Sequence, residues 1–382
     1  MGDTLMQPAT ANMLPETVGA IDADVHPYFK QGLKSLSPYL SRAMRERIGL
    51  GPKPEYARGL AASEFNIPTL PYYIDGGNTR ADSAPPEGGP PCSDPAFVVR
   101  DLIERYQLGA VILNGGQVLS LGGMPDPYNA NAIAAAHNEW IAAEWLAHDK
   151  RFHGSILVAP RDVAHAVKEI ERWANHPGMV QVLIPSVSEH TFGQRYFWPI
   201  YEAATRNGLA VSSHVGGESA GINGSMMATL ASGSFAEHWG CLPQVGQGQL
   251  TSLVLNGALE EFPTLRFVFQ EYGFSWLPIV MWRLDAAWKA FRREISWVKK
   301  LPSEYIAEHC RFTTQPLDEP KNYKDLEDII RMVQADRTLL FSTDYPHWDS
   351  DMPDRVQTLL PAAIRSKVFI ENARDAYPRL RV

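Results

Sequence analysis

The chain has 382 residues, 45% of them hydrophobic and 20% charged, the composition of a folded globular protein. Its 35 Lys+Arg against 43 Asp+Glu give a formal charge of -8, which argues against the basic surface that nucleic-acid binding needs. No apolar run reaches the roughly 18 residues of a membrane span, and the first twenty residues carry no Lys or Arg to open a secretory leader. Three cysteines, Cys92, Cys241 and Cys310, lie far apart and give neither a CxxC zinc pattern nor a disulfide framework. The expectation is a cytoplasmic protein with no membrane and no nucleic-acid partner.

The first element is the stretch "VGAIDADVHPYF", a short apolar run that ends in polar residues. Alternate residues of a strand point the same way, so Asp24 and His26 are expected on one face. Residues 28–95 are rich in Pro, Gly and Tyr and read as a long excursion with one helix near 38–48. From residue 96 a rhythm begins. "AFVVRDLIERYQ" has helical spacing, "LGAVILNG" is a β-branched run, and "NAIAAAHNEWIAAEWLAHD" is a long helix. "FHGSILVAP", "MVQVLIPS", "LAVSSHVGG", "LRFVFQEYG", "CRFTTQP" and "TLLFSTDYPH" then read as strands, each separated from the next by a helical pattern.

Eight strands alternating with helices imply parallel pairing, and a (β/α)8 TIM barrel is the predicted α/β architecture. A doubly wound open sheet would bring a glycine-rich phosphate turn after an early strand, and none follows "IDADVH". Residues 1–17 read as an N-terminal extension and 18–382 as a single barrel domain. The insertion 28–95 is expected to cap the barrel mouth.

In such a barrel the functional residues sit at the C-terminal ends of the strands. Strand one ends in Asp24 and His26, strand five in His214, strand six in Gln270 and Glu271, and strand eight in Asp344, His347 and Asp349. Carboxylates and imidazoles converging at one mouth make a metal-site pattern. Taken singly, each has a plainer explanation: Asp344 as a turn carboxylate before Pro346, Glu271 as a salt-bridge partner of Arg283, and His347 as a ring packed on Trp348.

The set "IDADVH", "SSHVGG", "FVFQEYGFSWLPIVMWRLD", "FSTDYPHWD" and "VFIENARDAY" resembles the amidohydrolase superfamily, specifically the amidohydrolase-2 group with its nonoxidative decarboxylases. The resemblance covers roughly residues 18 to 380. It implies Asp24 and His26 as a first-strand ligand pair, His214 as the fifth-strand ligand, and Asp344 as a ligand that also handles a proton. Where relatives often carry a sixth-strand His, this chain has Glu271. The bridging Lys of two-metal relatives is also missing, since "MVQVLIPS" offers only Gln181.

Two imidazoles and two carboxylates suit a divalent Zn, Mn or Fe ion. One ion is expected, with two as the alternative. Asp344 and Glu271 are the candidate catalytic residues. Asp24, His26, His214, Asp344, Glu271 and His347 are the candidate metal ligands. His238 and Arg80 are candidate substrate contacts, with Tyr72 and Tyr73 placed by position alone.

Three functions stay open. The first is a metal-dependent hydrolase or nonoxidative decarboxylase acting on a small carboxylated or amide-like molecule. The second is a di-iron or Mn/Fe oxygenase on the same barrel. The third is a non-catalytic partner subunit in a homo- or hetero-oligomer with a related barrel chain.

Overall fold

The computed structural model describes residues 10–50, 79–216 and 234–381. Eight strands form one sheet in chain order: β1 (Ile21–Val25), β2 (Ala110–Leu113), β3 (Phe152–Leu157), β4 (Met179–Pro185), β5 (Ala210–His214), β6 (Phe267–Gln270), β7 (Cys310–Thr313) and β8 (Leu339–Leu340). Every adjacent pair is parallel. The two edge strands also meet. The Ala23 amide donates to the Phe341 carbonyl at 3.0 Å, Asp344 N to Asp24 O at 3.0 Å, and His26 N to Tyr345 O at 2.7 Å. The sheet therefore closes into the expected barrel, and closure removes the exposed sheet edges.

Two buried layers follow from the strand pleat. Ile21, Ala23, Ala110, Ile112, Val180, Ala210, Val268 and Leu340 gather in one cluster, closed at the N-terminal ends of the strands by Ala373, Ala376 and Tyr377. The alternate residues, among them Val111, Leu113, Val211, Phe267, Phe269 and Phe312, belong to the larger cluster packed against the helices. The first set fills the barrel and the second joins it to its helical shell.

Two bulges adjust this pattern. In β1, Asp22 and Val25 pair with Val111 and Leu113, so one extra residue is inserted. In β4, Met179 and Gln181 pair with the consecutive Gly154 and Ser155. An extra residue reverses which face the following side chains take. Ile21 and Ala23 thus fill the barrel, and beyond the bulge Asp24 and His26 also turn inward. Asp22 is separated from that pair. Its carboxylate accepts from Thr343 N at 2.9 Å and Thr343 Oγ1 at 2.6 Å, which ties β1 to the segment beyond β8.

The helix expected near 38–48 is broken. A 3-10 turn, Lys34–Tyr39, precedes a helix at Arg42–Arg47. Ser41 separates them because its hydroxyl caps the second helix, accepting from Met44 N at 3.2 Å. A short strand, Lys30–Leu33, lies outside the barrel sheet. Tyr72 and Tyr73 fall outside the described residues. Among the described residues no helix is long and apolar enough to cross a membrane.

Candidate metal centre at the barrel mouth

Asp24 and His26 leave the end of β1, His214 ends β5, and Asp344 lies four residues beyond β8. Each of the four offers a ligand atom within 4.8 Å of the others, and all four are buried. His26 Nε2 is 3.1 Å from Asp24 Oδ1 and 2.9 Å from Asp344 Oδ1. His214 Nε2 is 3.1 Å from Asp24 Oδ2.

The two imidazoles are held differently. His214 Nδ1 faces the Val215 carbonyl at 2.5 Å. That contact requires a proton on Nδ1 and leaves Nε2 as the electron-pair donor, the tautomer a metal ligand needs. His26 is fully buried, and among the described residues neither ring nitrogen has a hydrogen-bond partner. The carboxylate oxygens near Nε2 are close enough but lie off the direction a hydrogen bond requires. The ring is fixed by packing, edge-on to His214 at 4.7 Å and stacked on His347 at 4.7 Å. Gly116 makes room for it, since a Cβ there would lie 3.1 Å from the Cβ of His26.

Glu271 enters the mouth by a route the strand pattern does not predict. Simple alternation groups it with Phe267 and Phe269, and those two face the helices. The backbone at Glu271 has φ +61, which breaks the alternation. The carboxylate then lies 3.4 Å from His214 Nε2, with 13% of the side chain exposed. Arg283, its suggested salt-bridge partner, is exposed on the helix Leu277–Phe291. Asp344 has φ +59. Glu271 and Asp344 thus occupy the left-handed region that non-glycine residues enter at a cost of order 1 kcal/mol or more.

His347 bonds to Asp344 through Nδ1, at 2.7 and 2.8 Å to the two oxygens. His26, Glu271, Asp344 and His347 form a second group of possible ligands that shares two members with the first.

Crowding decides the electrostatics. Burial raises the Asp24 carboxyl, but the His214 and His26 imidazoles outweigh it and hold the group well below the usual carboxylate range. Burial lowers His214, and Asp24 more than restores it. Asp344 is pushed well up by burial, then by the charges of Asp24, Asp349, Asp22 and Asp351. Glu271 is pushed well up by burial, then by Asp344. Burial, with His26 and His214 adding to it, drives His347 well below the ordinary imidazole range. Buried acids in such number are costly without a counter-charge, and a divalent cation fits both the donor set and the deficit.

The remaining sequence candidates, Arg80 and His238, are not among the clustered ligand atoms. The Arg80 guanidinium is engaged by Asp82, with Nε to Oδ1 at 2.9 Å and Nη2 to Oδ2 at 2.7 Å. His238 is on the helix Phe235–Leu255, its ring against Phe235 at 6.0 Å. Sequence reasoning missed Asn114, which follows β2 and donates from Nδ2 to Asp24 Oδ1 at 2.8 Å. A polar residue at the end of the apolar run "AVIL" was the signal available.

With the geometry established, comparison adds family membership. Residues 78–379 match the Amidohydro_2 family model, described as amidohydrolase. Among characterised proteins, the chain is 25% identical over 276 residues to a γ-resorcylate decarboxylase from Polaromonas sp. strain JS666, covering 66% of this chain and 78% of that protein. In fold it is similar to a dihydroxybenzoic acid decarboxylase from Polaromonas sp. JS666, solved with manganese and 2-nitroresorcinol (TM-score 0.62, 19% identity, 95% of this chain and 98% of that one). It is also similar to an amidohydrolase from Mycobacterium avium subsp. paratuberculosis K-10 (TM-score 0.67, 18% identity, 95% and 100% covered). The matched span exceeds half of the chain, and the protein belongs to the amidohydrolase family.

Proposed function

We propose that this protein is a metal-dependent carboxy-lyase that removes a carboxyl group, without oxidation, from a small carboxylated aromatic molecule. His26 carries the metal part of the reading. Both of its nitrogens lack a hydrogen-bond partner among the described residues, as those of His153 do, but the His26 ring is set amid the ligand atoms of Asp24, His214 and Asp344, where an ion would satisfy it. Of the two reactions expected from sequence, hydrolysis and decarboxylation, the γ-resorcylate decarboxylase relative favours the second.

Asp24, His26, His214 and Asp344 would hold the ion. Two imidazoles and two carboxylates without a thiolate suit Mn, Zn or Fe. Such an ion supplies Lewis acidity toward a substrate oxygen. The chain's own residues do the rest. His347 orients the Asp344 carboxylate, and Glu271, partly exposed at the rim, is placed to carry the proton. In the reaction, the ring carbon bearing the carboxylate gains a proton. The bond from that carbon to the carboxylate then breaks, its electron pair returns to the ring, and CO2 leaves. The insertion 28–95 is proposed as the cap, supported by the antiparallel bridge between Thr79 and His347 and by Arg80 N donating to Pro346 O at 2.8 Å.

The test is to incubate metal-loaded protein with a panel of hydroxybenzoates in D2O. CO2 release with deuterium at the vacated ring carbon supports the reading. Turnover of an amide panel with no CO2 from any ring acid contradicts it. The overlapping second ligand group, His26, Glu271, Asp344 and His347, favours one other reading, a two-metal oxygenase. That reading requires two ions per chain including iron, and consumption of O2.

A further inference from the structure

Beneath the mouth, inside the barrel, lies a polar cluster that none of the roles above uses. Asn114, just beyond β2, and Ser155 and Gln181, on β3 and β4, are all at most 1% exposed. Ser155 Oγ donates to Asn114 Oδ1 at 2.7 Å, and Gln181 Nε2 donates to the same oxygen at 2.9 Å. Gln181 Nε2 also reaches Ser155 Oγ at 2.8 Å. The Asn114 amide nitrogen points the other way, to Asp24 Oδ1 at 2.8 Å and toward Ala23 O at 3.4 Å. The Asn114 backbone is pinned to β1 as well, its N–H donating to Val25 O at 2.8 Å.

This arrangement permits one orientation of the amide. A flipped Asn114 would turn its oxygen toward the Asp24 carboxylate and the Ala23 carbonyl, neither of which can donate. It would also turn its nitrogen toward the Gln181 nitrogen. Two donors on one side and an ionised acceptor on the other therefore lock the side chain. Asp24 Oδ1 in turn receives a fixed hydrogen bond, which sets the rotation of the carboxylate plane. Oδ2 is left on the side of His214 Nε2, at 3.1 Å. The bulge in β4 brings Gln181 into the barrel at the level of Ser155. Without it the side chain following Val180 would face the helices.

We propose that Asn114, held by Ser155 and Gln181, is a positioning residue for the metal centre: it orients Asp24 so that Oδ2 is the oxygen presented to a divalent cation. The inference rests on the metal reading above and extends it to residues that touch neither ion nor substrate. It also gives the strand-four position a role. Gln181 supplies no ligand there, and its amide instead fixes the support of one.

The experiment is calorimetric titration of Mn(II) into metal-stripped protein, wild type against Asn114→Ala, with thermal unfolding of each metal-free protein alongside. Losing a partner of this kind typically costs about 10- to 100-fold in metal affinity. We expect Asn114→Ala to weaken Mn(II) binding at least tenfold beyond any effect explained by partial unfolding. Ser155→Ala, one bond further from Asp24, should weaken it less. A lower unfolding temperature with unchanged Mn(II) affinity would make Asn114 merely structural and overturn the proposal. Should Asn114→Ala fail to fold, Ser155→Ala decides: weakened Mn(II) binding supports the proposal, and unchanged binding overturns it. Wild-type protein that binds no Mn(II), Zn(II) or Fe(II) overturns the metal reading and this inference with it, an outcome distinct from unchanged affinity in the variants.

Discussion

His347 Nδ1 sits between the two carboxylate oxygens of Asp344, 2.7 Å from one and 2.8 Å from the other. Both groups are buried, and the same imidazole stacks on His26. One side chain therefore sets the position of two proposed ligands. His347→Ala should weaken metal binding by roughly tenfold or more, while His347→Asn, which keeps a donor near Nδ1, should recover part of that loss. Metal titration of wild type and the two variants side by side checks the order, and a His347→Ala affinity equal to that of wild type would remove His347 from the site.

Glu271 carries a conformational cost for its place at the mouth. With φ +61, it holds a backbone state that glycine adopts freely. Glu271→Gly should raise the stability of the metal-free protein by about 0.5–1 kcal/mol, while turnover falls at least tenfold. Glu271→Gln, which keeps the shape and removes the charge, should lose activity without the gain in stability. Denaturant unfolding and steady-state rates on both variants separate the two effects. Full activity in Glu271→Gln would leave the carboxylate with no chemical role.

Acid sensitivity should arise partly from the barrel wall. His153, on β3, is buried with neither ring nitrogen hydrogen-bonded among the described residues. Burial pulls it down to about 4, and His137 likewise to about 4. In the unfolded chain each takes up a proton near the ordinary value of about 6.5. Between those two pH values the unfolded state binds more protons, so stability falls as pH drops from about 6.5 to about 4. Denaturation at pH 7 and pH 5 should show that slope. His153→Leu should reduce it by on the order of 1–2 kcal/mol over that interval. An unchanged slope would mean that His153 charges freely in the folded state.

Much of the site was legible because barrel topology concentrates function at the strand ends. The period of the apolar runs led to eight strands, and Asp24, His26, His214 and Asp344, picked out at strand ends, lie close together in the structure. The rest depended on geometry that leaves no periodic trace. A bulge adds one residue without altering the apolar run around it, so the opposite roles of Asp22 and Asp24 could not be read from "IDADV". Glu271 was found at the mouth, although simple alternation points it toward the helices with Phe269. Its left-handed backbone lies outside any pattern argument. Arg80 was expected near the substrate, and its pairing with a carboxylate two residues away has no signature in the apolar pattern. Asn114 acts through contacts with three different strands, which only the closed barrel brings together.

The most direct measurement is the metal content of protein purified without a metal-binding tag, wild type against His214→Ala, by elemental mass spectrometry. His214 ends a strand at the mouth and contributes more to the site than to the core, so the variant should stay folded. One divalent ion per wild-type chain, largely lost from a folded His214→Ala protein, is the predicted result. Equal metal content in the two proteins, or none in either after reconstitution with Mn(II), Zn(II) and Fe(II), would contradict a metal centre at Asp24, His26, His214 and Asp344.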